Sequence, residues 1–103
     1  MKNEHYWGLV DYCESEARLI VSSPPFDVDS FPLLGETLIN LLSAEVKEKQ
    51  FDADLHSWLI DFEGSLLFLR AEHYSESLWL EALDKNQSQQ VMAYLAKLFA
   101  KGF

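Results

Sequence analysis

Residues 55–72 limit the fold more than any other stretch, because they read as two strands folded back on one glycine. Leu55 to Phe62 forms the first strand, Glu63-Gly64 supplies a two-residue turn, and Ser65 to Glu72 returns. Successive strand side chains point to opposite faces, so Leu66 and Phe68 share one side of the returning strand while Leu67 and Leu69 share the other. A strand that is apolar on both sides needs cover on both sides. Any fold for this chain must place it centrally and then find something to shelter each face.

The rest of the chain supplies the neighbours. His5 to Cys13 and Arg18 to Ser23 carry aromatic and β-branched types suited to a pleated surface. Glu14-Ser15-Glu16-Ala17 joins them as a short polar connection, and Pro24-Pro25 ends the second strand because neither proline can donate to a ladder. Ser77 to Leu83 is a further strand after the polar break His73-Tyr74-Ser75-Glu76. Glu45 to Phe51 is a candidate edge strand, with Lys47 and Lys49 as typical edge decoration.

Two segments have helical period instead. Phe31, Leu34, Leu38, Leu41 and Leu42 make one apolar stripe over about 30–44, with Asp29 or Ser30 as cap and Pro32 in the first turn. Gly35 within it lowers helix propensity by about 1 kcal/mol relative to alanine. Val91, Tyr94, Leu95, Leu98 and Phe99 form the face of a closing helix, capped by Asn86 or Ser88 and followed by Gly102. The expected fold class is α+β in the order β-β-α-β-β-β-α. Its sheet is mainly antiparallel, with five strands, or six with the edge segment, and both helices lie on one face.

At 103 residues the chain has the size of one domain, and its 49% hydrophobic content excludes a disordered polymer. A formal net charge of −9 repels phosphate backbones, and the basic residues are scattered, with only Lys47 and Lys49 close together. A nucleic-acid partner is therefore not expected. No apolar run approaches the roughly 20 residues of a membrane span, and the start of the chain has no signal-peptide pattern. One cysteine, Cys13, rules out an internal disulfide and suits a reducing cytoplasm.

Candidate chemistry is sparse. Asp52, Asp54 and His56 alternate, so in an extended chain they share a face and could meet a divalent metal. The same alternation arises from a solvated strand face beside Phe51, Ala53 and Leu55, which is the stronger reading. Glu72-His73 and the pair Asp61/Glu63 could do acid–base work, but the first two point apart and the second pair sits at a hairpin tip. Cys13 would need one of His5, His56 or His73 as a base, and reads better as a small core residue. Isolated glycines exclude a glycine-rich phosphate loop. No catalytic residue, cofactor or metal is assigned.

The aromatic residues point elsewhere. If the helices cover Leu78, Leu80 and Ala82, then Trp79 lies on the other, open face of the sheet. Cover for that face could come from a protein partner, a second copy, or the loop around Pro24–Phe26. The leading expectation is accordingly an interaction or self-associating module using Trp79, Leu67 and Leu69. An acidic mimic or immunity-type inhibitor of a basic-site protein and a small metal module on Asp52, Asp54 and His56 are the alternatives.

Ser30-Phe31-Pro32 before the first helix and Asp61-Phe62-Glu63-Gly64 in the hairpin carry a resemblance. With them the chain resembles short acidic proteins of unknown function from gamma-proteobacteria. That resemblance implies a bacterial cytoplasmic setting and no particular activity.

Overall fold

The Gly64 hairpin forms as the alternation requires, and the sheet assembles around it. A computed structural model describes residues 6–103. Strands β1 (Gly8–Cys13) and β2 (Arg18–Ser22) are followed by helix α1 (Phe31–Leu42). Then come β3 (Glu45–Asp52), β4 (Leu55–Phe62), β5 (Ser65–Glu72), β6 (Ser77–Ala82) and helix α2 (Gln89–Lys101). The edge segment is thus a full strand, and the first expected strand begins at Gly8, His5 lying outside the described residues.

All six strands form one antiparallel sheet in the order β1-β2-β6-β5-β4-β3. Only the β2–β6 contact joins strands distant in sequence within the ladder. It inserts the first hairpin beside the last strand, and leaves β5 flanked by β4 and β6. Each tight turn uses left-handed backbone: Ala53 and Asp54 between β3 and β4, Glu63 and Gly64 between β4 and β5. Gly64, at φ 86°, takes the position where a side chain would be strained.

One face of the sheet carries the core. Trp58, Ile60 and Phe62 of β4, Leu67, Leu69 and Ala71 of β5, Leu78 and Leu80 of β6, and Leu19 and Val21 of β2 are all buried there. The helices cover it with Phe31, Leu38, Ile39 and Leu42 from α1 and Met92, Leu95, Ala96 and Phe99 from α2. Both helices present one apolar stripe, so burying them on the same side lets a single core serve both. Gly35 lets α1 sit close to the sheet: a Cβ there would lie 2.8 Å from the Trp58 ring. Its low propensity is the cost of that approach.

The helix starts differ in detail from a simple cap. Ser30 precedes α1, but its hydroxyl accepts the Asp27 amide at 2.9 Å while Asp27 Oδ1 accepts the Ser30 amide at 2.8 Å. This reciprocal turn feeds Phe31 into the core with Pro32 in the first turn. At the far end, Trp7 and Phe103 exchange backbone hydrogen bonds of 2.8 and 3.1 Å and stack, tying the segment before β1 to the end of α2.

Candidate functional site: the open face of the sheet

Among the described residues no helix lies over the opposite face of the sheet. Register fixes two parallel rows of side chains there. One row runs Cys13, Arg18, Glu81, Phe68, Leu59, Glu48, and the next runs Asp11, Ile20, Trp79, Arg70, Ser57, Gln50. Leu66 follows beyond Phe68 at 36% exposure, and its carbonyl accepts the amide of the exposed Leu83. Of the loop around Pro24–Phe26, Phe26 goes to the other side, where it packs against Phe31 and His73, while Pro24 and Pro25 border a cleft with Val10 and Ile20 at one end of this face.

Trp79 therefore stands on the open face, as the alternation predicts. Leu67 and Leu69 do not. Both are fully buried beneath the helices, so neither can be a contact residue of the folded chain. The apolar contributions of β5 to the open face come from Leu66 and Phe68 instead. The two-sided character of the strand was legible, but which side received the helices depends on where α1 and α2 dock.

The centre of this face gathers an indole N–H, a carboxylate and a guanidinium whose Nε is buried without a hydrogen-bond partner. Trp79 Nε1 donates to Glu81 Oε1 at 2.6 Å, and Arg70 approaches the same oxygen at 3.6 Å. The Arg70 guanidinium also lies 4.3 Å from the Phe68 ring centre. One carboxylate thus serves two donors, and the only guanidinium near the middle is spread over an aromatic ring. What remains is a half-buried apolar surface of Ile20, Trp79, Phe68 and Leu59.

The other sequence candidates separate. Asp52, Asp54 and His56 do not share a strand face, because Ala53 and Asp54 are the turn itself. The chain reverses there, and His56 emerges on the helix side in phase with Trp58 and Ile60. Among the described residues no three metal-ligating side chains come together. Asp61 Oδ1 accepts the Gly64 amide at 2.9 Å, so it shapes the hairpin turn. Glu72 accepts from the Ser75 hydroxyl and amide and from the Tyr74 amide, which hold its carboxyl below its ordinary pKa. Cys13 belongs to the open-face register while His56 and His73 lie on the helix side, so no thiol–imidazole pair forms between them.

Nine of the carboxylates lie at the two ends of the sheet, while Asp11, Glu48 and Glu81 belong to the open-face rows. Glu14, Glu16, Asp61, Glu63 and Asp84 lie at one end, and Asp52, Asp54, Glu72 and Glu76 at the other. They form no single acidic face of the kind a nucleic-acid mimic requires. A pairing that sequence reasoning missed lies on the helix side: His56 Nδ1 is 2.7 Å from His73 Nε2. The phase of His56 with Trp58, Ile60 and Phe62 was the available signal for its burial. Nothing local could bring His73, seventeen residues on, to meet it.

Fold and site together define a class: a single-layer antiparallel sheet, helix-covered on one side and, among the described residues, without a helix on the other. The chain belongs to the family described as proteins of unknown function, DUF3630, whose model matches residues 7–100. No curated protein and no solved structure matches it. Among the described residues no helix is long and apolar enough to cross a membrane.

Proposed function

We infer that this protein is a self-associating module whose bare sheet face packs against the same face of a second copy. The observation carrying this reading is the pair of rows through Phe68 and Trp79, left without cover by both helices and by Phe26, which packs on the other side. A second copy suits this face because the two rows complement each other. A twofold axis lying between them, across the strands, sets each row over the other. Phe68 then meets Arg70 of the other copy, Glu81 meets Trp79, Arg18 meets Ile20, and Leu59 meets Ser57. No side chain in either row faces its own charge. Such isologous pairing is the usual way for identical chains to bury a patch.

Size supports a weak association. Five inter-strand spacings and about five residues per strand give roughly 24 by 17 Å, or about 400 Å² of sheet per copy. The two copies together bury roughly 800 Å² or somewhat more, at the low end for specific contacts, so a dissociation constant of about micromolar or weaker is expected. The setting we infer for it is a reducing cytoplasm, supported by the single cysteine, and a bacterial one, supported by the resemblance to short acidic gamma-proteobacterial proteins.

Sedimentation equilibrium over a wide concentration range tests the reading, with acrylamide quenching as a local reporter. Trp7 and Trp58 are buried, so quenching reads mainly Trp79. Mass should rise towards a dimer while quenching falls. A chain that stays monomeric near millimolar concentration, with unchanged quenching, overturns it.

A further inference from the structure

The two histidines on the helix side join parts of the fold that are distant in sequence. His56 projects from β4 and is only 7% exposed, while His73 opens the turn between β5 and β6. Their rings meet edge-on at 4.9 Å between centres, with Nδ1 of one 2.7 Å from Nε2 of the other. Aromatic rings flank them, Phe51 being half exposed. Phe51 stacks on His56 at 4.3 Å, Phe31 lies 4.9 Å from it, and Phe26 meets His73 edge-on at 5.7 Å. The His73 amide also donates to the Asp54 carbonyl at 2.8 Å, linking the β5–β6 turn to the β3–β4 turn.

Protonation is difficult in this arrangement for a geometric reason. His73 Nδ1 is buried and has no hydrogen-bond partner. An unpaired acceptor is tolerated better than an unpaired N–H, so the neutral pair is best served by His73 Nε2–H donating to His56 Nδ1. Adding one proton changes this whichever ring receives it. A cationic His73 carries N–H at Nδ1. A cationic His56 donates from Nδ1 to His73 Nε2, which forces the His73 proton onto Nδ1. Either way a buried N–H is left unpaired. Adding a second proton sets two N–H groups and two positive charges face to face.

The surroundings offer little compensation. From β3, Lys49 borders the same shallow cleft as His56, but its ammonium is bound to Glu36 of α1 and lies 4.2 Å over the Trp58 ring. Glu72, next to His73, accepts from Ser75 and Tyr74 and adds only a minor Coulombic attraction to a charged His73. Asp54 contributes its backbone carbonyl, and Asp27 of the loop bearing Phe26 is turned to Ser30. Burial, with a smaller contribution from His73, accordingly holds the His56 imidazole below the ordinary histidine pKa.

We propose that His56 and His73 form an acid-sensitive latch that clamps the β3–β4 turn, the β5–β6 turn and the start of α1, and that opens when the pair takes up protons. The neutral pair closes the aromatic cluster of Phe26, Phe31 and Phe51. The protonated pair separates, frees the His73 amide from Asp54, and exposes that cluster. Between the pKa of the open form and the lower one of the closed form, the ratio of open to closed rises about tenfold per pH unit for each proton taken up. This device is independent of the opposite, bare face.

Ring ¹⁵N shifts of both histidines and the exchange protection factor of the His73 amide, followed in the intact chain from pH 8 to 4.5, test the latch. Expected is proton uptake by His56 below the ordinary range near pH 6.5, with His73 protection lost over the same interval. His73→Phe fills the cage without a titrating nitrogen. It should make protection of the β5–β6 turn independent of pH between 7 and 5, and His73→Gln serves where Phe does not fold. Independent titration of the two rings in the ordinary range with His73 protection unchanged overturns the proposal. So does a variant that keeps the wild-type pH dependence. The wild-type measurement decides even where neither variant folds.

Discussion

Ionic strength should govern the proposed dimer, and in the direction opposite to that of an ion-paired interface. Each copy has a least dimension of 24 Å, and packed sheets stand about 10 Å apart, which puts the charge centres roughly 30 Å from each other. Two bodies of formal charge −9 at that separation repel by about 11 kcal/mol in unscreened water. Treating screening as one exponential leaves about 4 kcal/mol at 0.01 M salt and about 0.3 kcal/mol at 0.15 M. The difference amounts to several hundredfold in dissociation constant. No ion pair between copies offsets it, because the facing rows set charged groups against apolar or neutral ones. Even a stray exposed pair would contribute at most about 1 kcal/mol. Sedimentation equilibrium at the two salt concentrations should therefore show monomer at 0.01 M and association at 0.15 M. An association that weakens as salt is raised would refute the reasoning, since it would require attraction between charges as the dominant contact.

Four substitutions and one titration probe the rest. Trp79→Ser should weaken self-association at least tenfold in sedimentation while shifting the urea midpoint little, whereas Leu69→Ala, in the sealed core, should cost about 2–5 kcal/mol of stability. Gly35→Ala sets about 1 kcal/mol of helix propensity against overpacking on the Trp58 ring of about 1–3 kcal/mol. A net loss in denaturant melts is expected, and a gain would show that α1 can shift. Gly64→Ala places a side chain at φ 86° and should destabilise by about 1 kcal/mol, without a clash, since nothing lies within 4 Å of the new Cβ. Because His56 is held below its ordinary pKa, the unfolded chain binds a proton that the folded chain refuses once pH falls under about 6.5. Urea midpoints should thus fall between pH 7.5 and 5.5. Loss of the depressed carboxyls of Asp27 and Glu72 deepens the decline at still lower pH.

Where the local pattern was strong, the elements follow it closely. The Gly64 hairpin, the stripe of α1 and the face of α2 each have a period that only one backbone shape can satisfy. Failures came where phase had to be carried through a turn. The run from Asp52 to His56 alternates as one strand would, but the left-handed Ala53 and Asp54 reverse the chain. His56 consequently exchanges an expected solvated face for the core. Neither left-handed residue is glycine, so composition gave no warning.

Local chemistry thus decided that this chain would be strands and two one-faced helices about a twice-apolar central strand. Side-chain alternation and helical period are properties of neighbouring residues, and can be read without knowing the fold. Docking of α1 and α2 on the Leu67/Leu69 side, the bareness of the Phe68/Trp79 side, and the meeting of His56 with His73 required the completed sheet. Each of these depends on which face won the helices and how turns align across strands. Long-range packing settles that competition, and no short stretch of sequence contains it.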